Sequence, residues 1–128
     1  MIAPLATALS GALAQSERVG AAAANLANQS SVGALSGQPA AYRPVSVATV
    51  AQAGGGTAAV SRPVSPATLP AYDPSAGYAD ARGLVDTPNV DSGTELLTLI
   101  SADLAYKTNL KVMRTADEMT RQALNLTA

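Results

Sequence analysis

The chain has 128 residues and a formal net charge of −1, room for one domain or one domain with an extended arm. That charge gives no electrostatic case for nucleic acid or for an acidic membrane surface. Cysteine and histidine are both absent, which removes disulfides, thiolate chemistry, the usual general base and the commonest metal ligand.

Phe and Trp are missing as well, and Tyr42, Tyr72, Tyr78 and Tyr106 are the only aromatic residues. Large aromatic side chains normally anchor a core. Much of the 48% hydrophobic fraction is alanine, which contributes little buried area per residue. A single copy is therefore expected to be weakly stable alone.

Taken in order, Leu5, Leu9, Ala12, Ser16, Val19, Ala23 and Leu26 recur at alternating steps of three and four. That is heptad spacing, the mark of a helix that packs along another helix. Pro4 suits a first turn, where its missing N–H removes no intrahelical bond. Gly11 and Gly20 each cost about 1 kcal/mol of helix propensity against Ala. A stop is expected between Asn28 and Gly33. Met1 to Gln15 faintly resembles a secretory leader with a cleavage-like Ala12-Leu13-Ala14, but the first basic residue is Arg18. A leader needs a positive start, so the expectation is a retained helix. No run of about 18 apolar residues marks a membrane span.

The middle has another character. Val45 to Val50 alternates partly at period two behind Pro44, and Thr57 to Val64 returns after Gly54-Gly55-Gly56. This predicts one hairpin, with Pro63 holding its strand to an edge. The triple glycine has no phosphate-loop pattern around it and reads as a turn. From Ser65 to Val90, Pro66, Pro70, Pro74 and Pro88 argue against helix or central strand, so extended, polyproline-like backbone is expected. Asp73, Asp80, Asp86 and Asp91 lack the spacing of a calcium loop and read as solvated turn residues.

The last third, Ser92 to Leu126, reads as one long helix. Leu96, Leu99, Tyr106, Leu110, Met113 and Leu124 share a seam with Asp103, Asp117 and Thr120. Ser92-Gly93-Thr94-Glu95 has the form of a capping box, with Asp91 as a rival cap. Asp103 with Lys107, Asp117 with Arg121 and Arg114 with Glu118 stand four apart, which suits ion pairs of a few tenths of a kcal/mol each. The predicted fold is mainly α: long N- and C-terminal helices packed as a coiled-coil-like hairpin, with a small β-hairpin and a Pro-rich extended arm between them. The segments are 1–33, 34–91 and 92–128. No catalytic, cofactor or metal site is expected. Ser-His-Asp and Cys-His sets are impossible, and Lys107 and Lys111 lie on a helix with no evident pocket behind it.

Particular residues carry a resemblance. Leu13-Ala14-Gln15, Arg18, Ala24-Asn25-Leu26-Ala27-Asn28 and Val32-Gly33 match an N-terminal signature of helix, Asn-Leu-Ala-Asn, then Gly. Ala41-Tyr42-Arg43 follows. Then come Tyr72-Asp73-Pro74, Ala79-Asp80, Gly83-Leu84-Val85, Pro88-Asn89-Val90-Asp91 and Glu95-Leu96, and beyond them Ala102, Tyr106, Asn109, Val112, Met119 and Leu124. These resemble the bacterial flagellar basal-body rod protein family of axial proteins, most closely its proximal rod members, over about two thirds of the chain. Two closely related proximal types share the pattern. Pro44 and Leu104 stand where arginine is common, and Ala34 to Leu69 matches weakly.

The resemblance implies a structural, non-enzymatic subunit of a hollow axial drive shaft in the rod spanning the periplasm. It would be exported without a cleaved signal peptide. The implied partners are other copies, other rod proteins in a helical assembly and the flagellar export apparatus, with no nucleic acid and no small-molecule substrate. The expected assembly interface is Leu5, Leu9, Val19, Asn25, Leu26, Asn28, Leu96, Leu99, Tyr106, Asn109, Leu110, Met113 and Leu124. The same seam could equally serve as intrachain core. A soluble helical-hairpin binding module or export adaptor is the alternative.

Overall fold

The computed structural model describes residues 2–125, with side chains from residue 4 onward. Helix α1 (Ile2–Ala27) is followed by strands β1 (Val45–Ala51), β2 (Thr57–Pro63), β3 (Thr68–Tyr72) and β4 (Leu84–Pro88), then by helix α2 (Ser92–Asn125). Leu126, the expected end of the second helix, lies outside the described residues. The helices stand where the heptad spacing put them. The cap of α2 is Asp91, whose carboxylate accepts from the Thr94 N–H at 2.6 Å. Ser92 instead donates to the Gln29 side chain, and Glu95 is spent elsewhere, so the capping box does not form. The pairs Asp103–Lys107 (2.6 Å) and Asp117–Arg121 (3.0 Å) form.

The mainly α expectation is corrected. The fold is mixed α/β, with two antiparallel hairpins, β1–β2 and β3–β4. The first is the expected one, running from Val45 opposite Pro63 to Ala51 opposite Thr57. The second lies in the Pro-rich stretch, where Thr68 pairs with Pro88 and Pro70 with Asp86. Proline was read as excluding a sheet, yet it excludes only a strand bonded on both sides. In a two-stranded sheet each strand keeps an open edge toward which a residue without an N–H can turn.

The second hairpin packs on neither helix among the described residues. It is tied to the loop after α1, where Gly33 and Asp86 exchange backbone bonds of 2.9 and 2.8 Å. A Cβ on Gly33 would stand 2.1 Å from the Ala41 nitrogen, so only glycine fits that crossing. Pro44 and Val85 are fully buried and Ala41 nearly so.

The two helices are antiparallel and close. A Cβ on Gly11 would meet the Asn109 amide oxygen at 2.9 Å, and Asn25 bonds Glu95 at 2.8 Å. Fourteen residues separate these contacts on each helix, so the register is constant. In that register Ile2 stands level with Glu118, and residues 119–125 of α2 run past it. The buried face is made of small residues: Ala8, Ala12, Ala22 and Ala102 are each at most 4% exposed. Helices meeting through such residues approach more closely than leucine-lined ones. The first hairpin lies against another side of α1, and its turn is pinned where the Thr57 N–H donates to Ser10 Oγ at 3.1 Å.

Candidate assembly surface

Asn25 is the junction of the subunit. It is completely buried, and all of its polar capacity is used. Its amide nitrogen donates to the Val45 carbonyl and to Glu95 Oε1, each at 2.8 Å. Its oxygen accepts from the Tyr42 hydroxyl at 3.0 Å and from the Val45 N–H at 3.2 Å. One side chain thus mimics a strand edge for β1, anchors the loop before it and joins both helices. A buried amide is tolerated only when satisfied in this way. Asn28 bonds back to the Ala24 carbonyl at 2.9 Å and receives the Ser31 hydroxyl, closing the helix end.

The seam is displaced from the predicted one. On α2 the residues that face α1 include Glu95, Thr98, Ala102 and Asn109, one position before Leu96, Leu99, Asp103 and Leu110. On α1 they include Ala8, Gly11, Ala22 and Asn25, again one before Leu9, Ala12, Ala23 and Leu26. Leucine content was taken as the guide to the inner face, whereas packing selected the small-residue face.

The bulky residues look outward. Leu5, Leu9, Leu96 and Leu124 of the expected interface are 40, 46, 53 and 64% exposed. Val19, Leu26, Asn28, Leu99, Tyr106, Asn109, Leu110 and Met113 are half-buried on the shoulders. Exposed residues absent from that set are Leu13, Leu97, Ile100, Leu104, Val112 and Met119. Their signal in the sequence is plain afterward: Leu97, Ile100 and Leu104 are spaced as one helix face opposite Ala102. Isolated exposed leucines need no explanation, but a continuous row is the mark of an interaction surface.

Beside that row runs an open groove between the helices. One part, about 410 Å³, is lined by Pro4, Lys111, Val112, Thr115, Ala116 and Met119 among others. The adjoining part, about 450 Å³, adds Thr7, Ala8 and Asn109. Neither holds a convergent set of reactive groups. Asp91 and Asp80 are held below the usual carboxylate range. For Asp91 the main cause is the Thr94 N–H at the helix start. For Asp80 it is the Leu84 N–H, assisted by the Arg82 N–H and guanidinium. Both shifts belong to a helix cap and a turn. Among the described residues no three His, Cys, Asp or Glu side chains cluster as metal ligands, and no helix is long and apolar enough to cross a membrane.

Comparison with known proteins agrees with this architecture. A family described as "Flagellar basal body rod FlgEFG protein C-terminal" matches residues 81–126, the stretch that leads into β4 and carries α2. The flagellar basal-body rod protein FlgC of Salmonella typhimurium is 40% identical over 120 residues, covering 88% of this chain and 87% of its own. The chain belongs to the FlgC family of flagellar basal-body rod proteins. Its FlgC relatives in Escherichia coli O6:H1 and Yersinia enterocolitica are each 36% identical over 118 residues, with the same shares covered. The coverage spans both helices and both hairpins, so the whole fold is the FlgC-family unit. The two proximal types left open by the sequence are thereby narrowed to one.

Proposed function

We propose that the chain is a structural subunit of the flagellar basal-body rod. In this reading its terminal helices join those of other copies and of other rod proteins in a hollow helical shaft that spans the periplasm. The observation that carries the reading is the division of apolar residues. The intrachain seam is closed by alanine, glycine and one asparagine, while the leucines are left outside. A subunit built this way forms its own hairpin and keeps its larger hydrophobic area for neighbours.

Passage through the flagellar export apparatus suits a chain with no Phe or Trp and a core of small residues, because little must be undone to unfold it. The first helix supplies half of the helix pair and so belongs to the working subunit rather than to a removed leader. The role is structural: an open apolar groove and carboxylates spent on turns offer no catalytic constellation.

A strain lacking its own copy of this rod subunit, complemented with the tagged chain, tests the reading. Isolated basal bodies examined by electron microscopy and mass spectrometry should contain the tagged chain, with its first helix intact. A chain that stays in the cytoplasm as a compact, cooperatively melting monomer would overturn the proposal.

A further inference from the structure

The outer face of α2 and the groove beside it are complementary in shape and in charge. From Asp91 to Tyr106 the only charged residues are the acids Asp91, Glu95 and Asp103; from Lys107 to Ala116 they are the bases Lys107, Lys111 and Arg114. The acidic half carries the outward row Leu97, Ile100 and Leu104, which are 69, 58 and 66% exposed. This row points away from α1, since Ala102, fully buried against α1, is on the opposite face. The basic half borders the apolar groove formed by Pro4, Val112, Ala116 and Met119. Lys107 is partly neutralised by Asp103 at 2.6 Å, whereas Lys111 and Arg114 make no ion pair among the described residues.

Resting on the rod reading above, we infer that the Leu97–Ile100–Leu104 ridge of one copy seats in the Pro4–Val112–Met119 groove of a second copy, with α2 lying as a third helix against the next pair. A helix is the right occupant, because the groove runs between two antiparallel helices and the ridge residues recur at three and four. The acidic half then meets the basic half, and the charges fix the offset more than the affinity. Ridge and groove occupy different places on the subunit. The contact is therefore heterologous, and it repeats without closing into a two-fold dimer.

The absence of cysteine makes the test direct. Leu104→Cys and Thr115→Cys are introduced into the full chain, singly and together, and basal bodies are oxidised before denaturing electrophoresis. The two positions are about 16 Å apart along one helix, too far for a disulfide within a chain. The double variant should give a ladder of dimers, trimers and larger species, and each single variant no cross-linked product. Leu104→Cys with Met119→Cys serves as a second pair should the first fail to assemble.

A dimer from Leu104→Cys alone would mean a two-fold contact and overturn the inference. So would a band joining the chain to a different protein. Basal bodies containing both double variants without any ladder would overturn it while leaving the rod reading intact. Basal bodies lacking even the wild-type chain would remove the rod reading and this inference with it.

Discussion

Two substitutions on α2, five residues apart, should have opposite consequences. Ala102 is 0% exposed against α1, and Leu97 is 69% exposed on the far side. Ala102→Leu forces a branched side chain between helices that touch closely enough for Gly11 to lie against Asn109. Overpacking a tight contact costs roughly 1–3 kcal/mol, a large share of the stability of a weakly held monomer. Leu97→Asp changes a side chain that the monomer hardly uses, so monomer stability should move by no more than about 0.5 kcal/mol.

In an assembly the ranking reverses. Full burial of a leucine yields about 1.5–3 kcal/mol, so roughly 1–2 kcal/mol of Leu97 burial remains for a neighbour. A carboxylate placed there adds an unpaired charge costing several kcal/mol more. Each 1.4 kcal/mol is about tenfold in association. Urea unfolding of dilute protein followed by circular dichroism measures the first effect, and swimming of the complemented strain measures the second. If Leu97→Asp lowered the urea midpoint as much as Ala102→Leu, or left swimming at the wild-type level, the inside–outside division of the helix faces would be mistaken.

Three further outcomes are expected. Asn25→Ala removes every bond at the junction and strands the buried Val45 N–H and carbonyl; at about 1–3 kcal/mol for each orphaned group it should be the most damaging polar truncation, with faster amide exchange along β1. Gly33→Ala, whose new methyl would meet the Ala41 nitrogen at 2.1 Å, should break the bridge to Asp86 and release the second hairpin to proteolysis while the helix content by circular dichroism is kept. Asp91 and Asp80 have folded pKa values below their unfolded ones, so their contribution is present above the unfolded value of about 3.9 and is lost as pH falls through the folded ones. Replacing both by Asn should therefore flatten the acid limb of a urea-midpoint profile between pH 7 and 3 without removing hydrogen-bond acceptors.

The helices were legible because their spacing is a one-dimensional signal, and Pro4, Gly33 and Asp91 mark their ends. The first hairpin was legible for the same reason, with Gly54-Gly55-Gly56 each at positive φ as its turn. The inner face of the helix pair was not. Hydrophobicity ranks Leu above Ala, but a seam shared by Gly11, Ala22 and Ala102 is chosen by how closely backbones can approach. The second hairpin was hidden because Pro70 and Pro88 speak against a strand in general and not against the edge of a ribbon. The role of Glu95 was hidden too: a glutamate three residues past a serine looks like a cap until Asn25 is seen across from it.

The last seven described residues of α2 reach past the level of Ile2. A column of such units cannot be laid with flush ends; every joint must be bridged by the protruding rod of the unit beside it, as bricks overlap between courses. Any plane cut across the column then passes through unbroken peptide chain somewhere. A twist applied at one end travels partly through covalent bonds instead of relying at every level on weak surfaces alone.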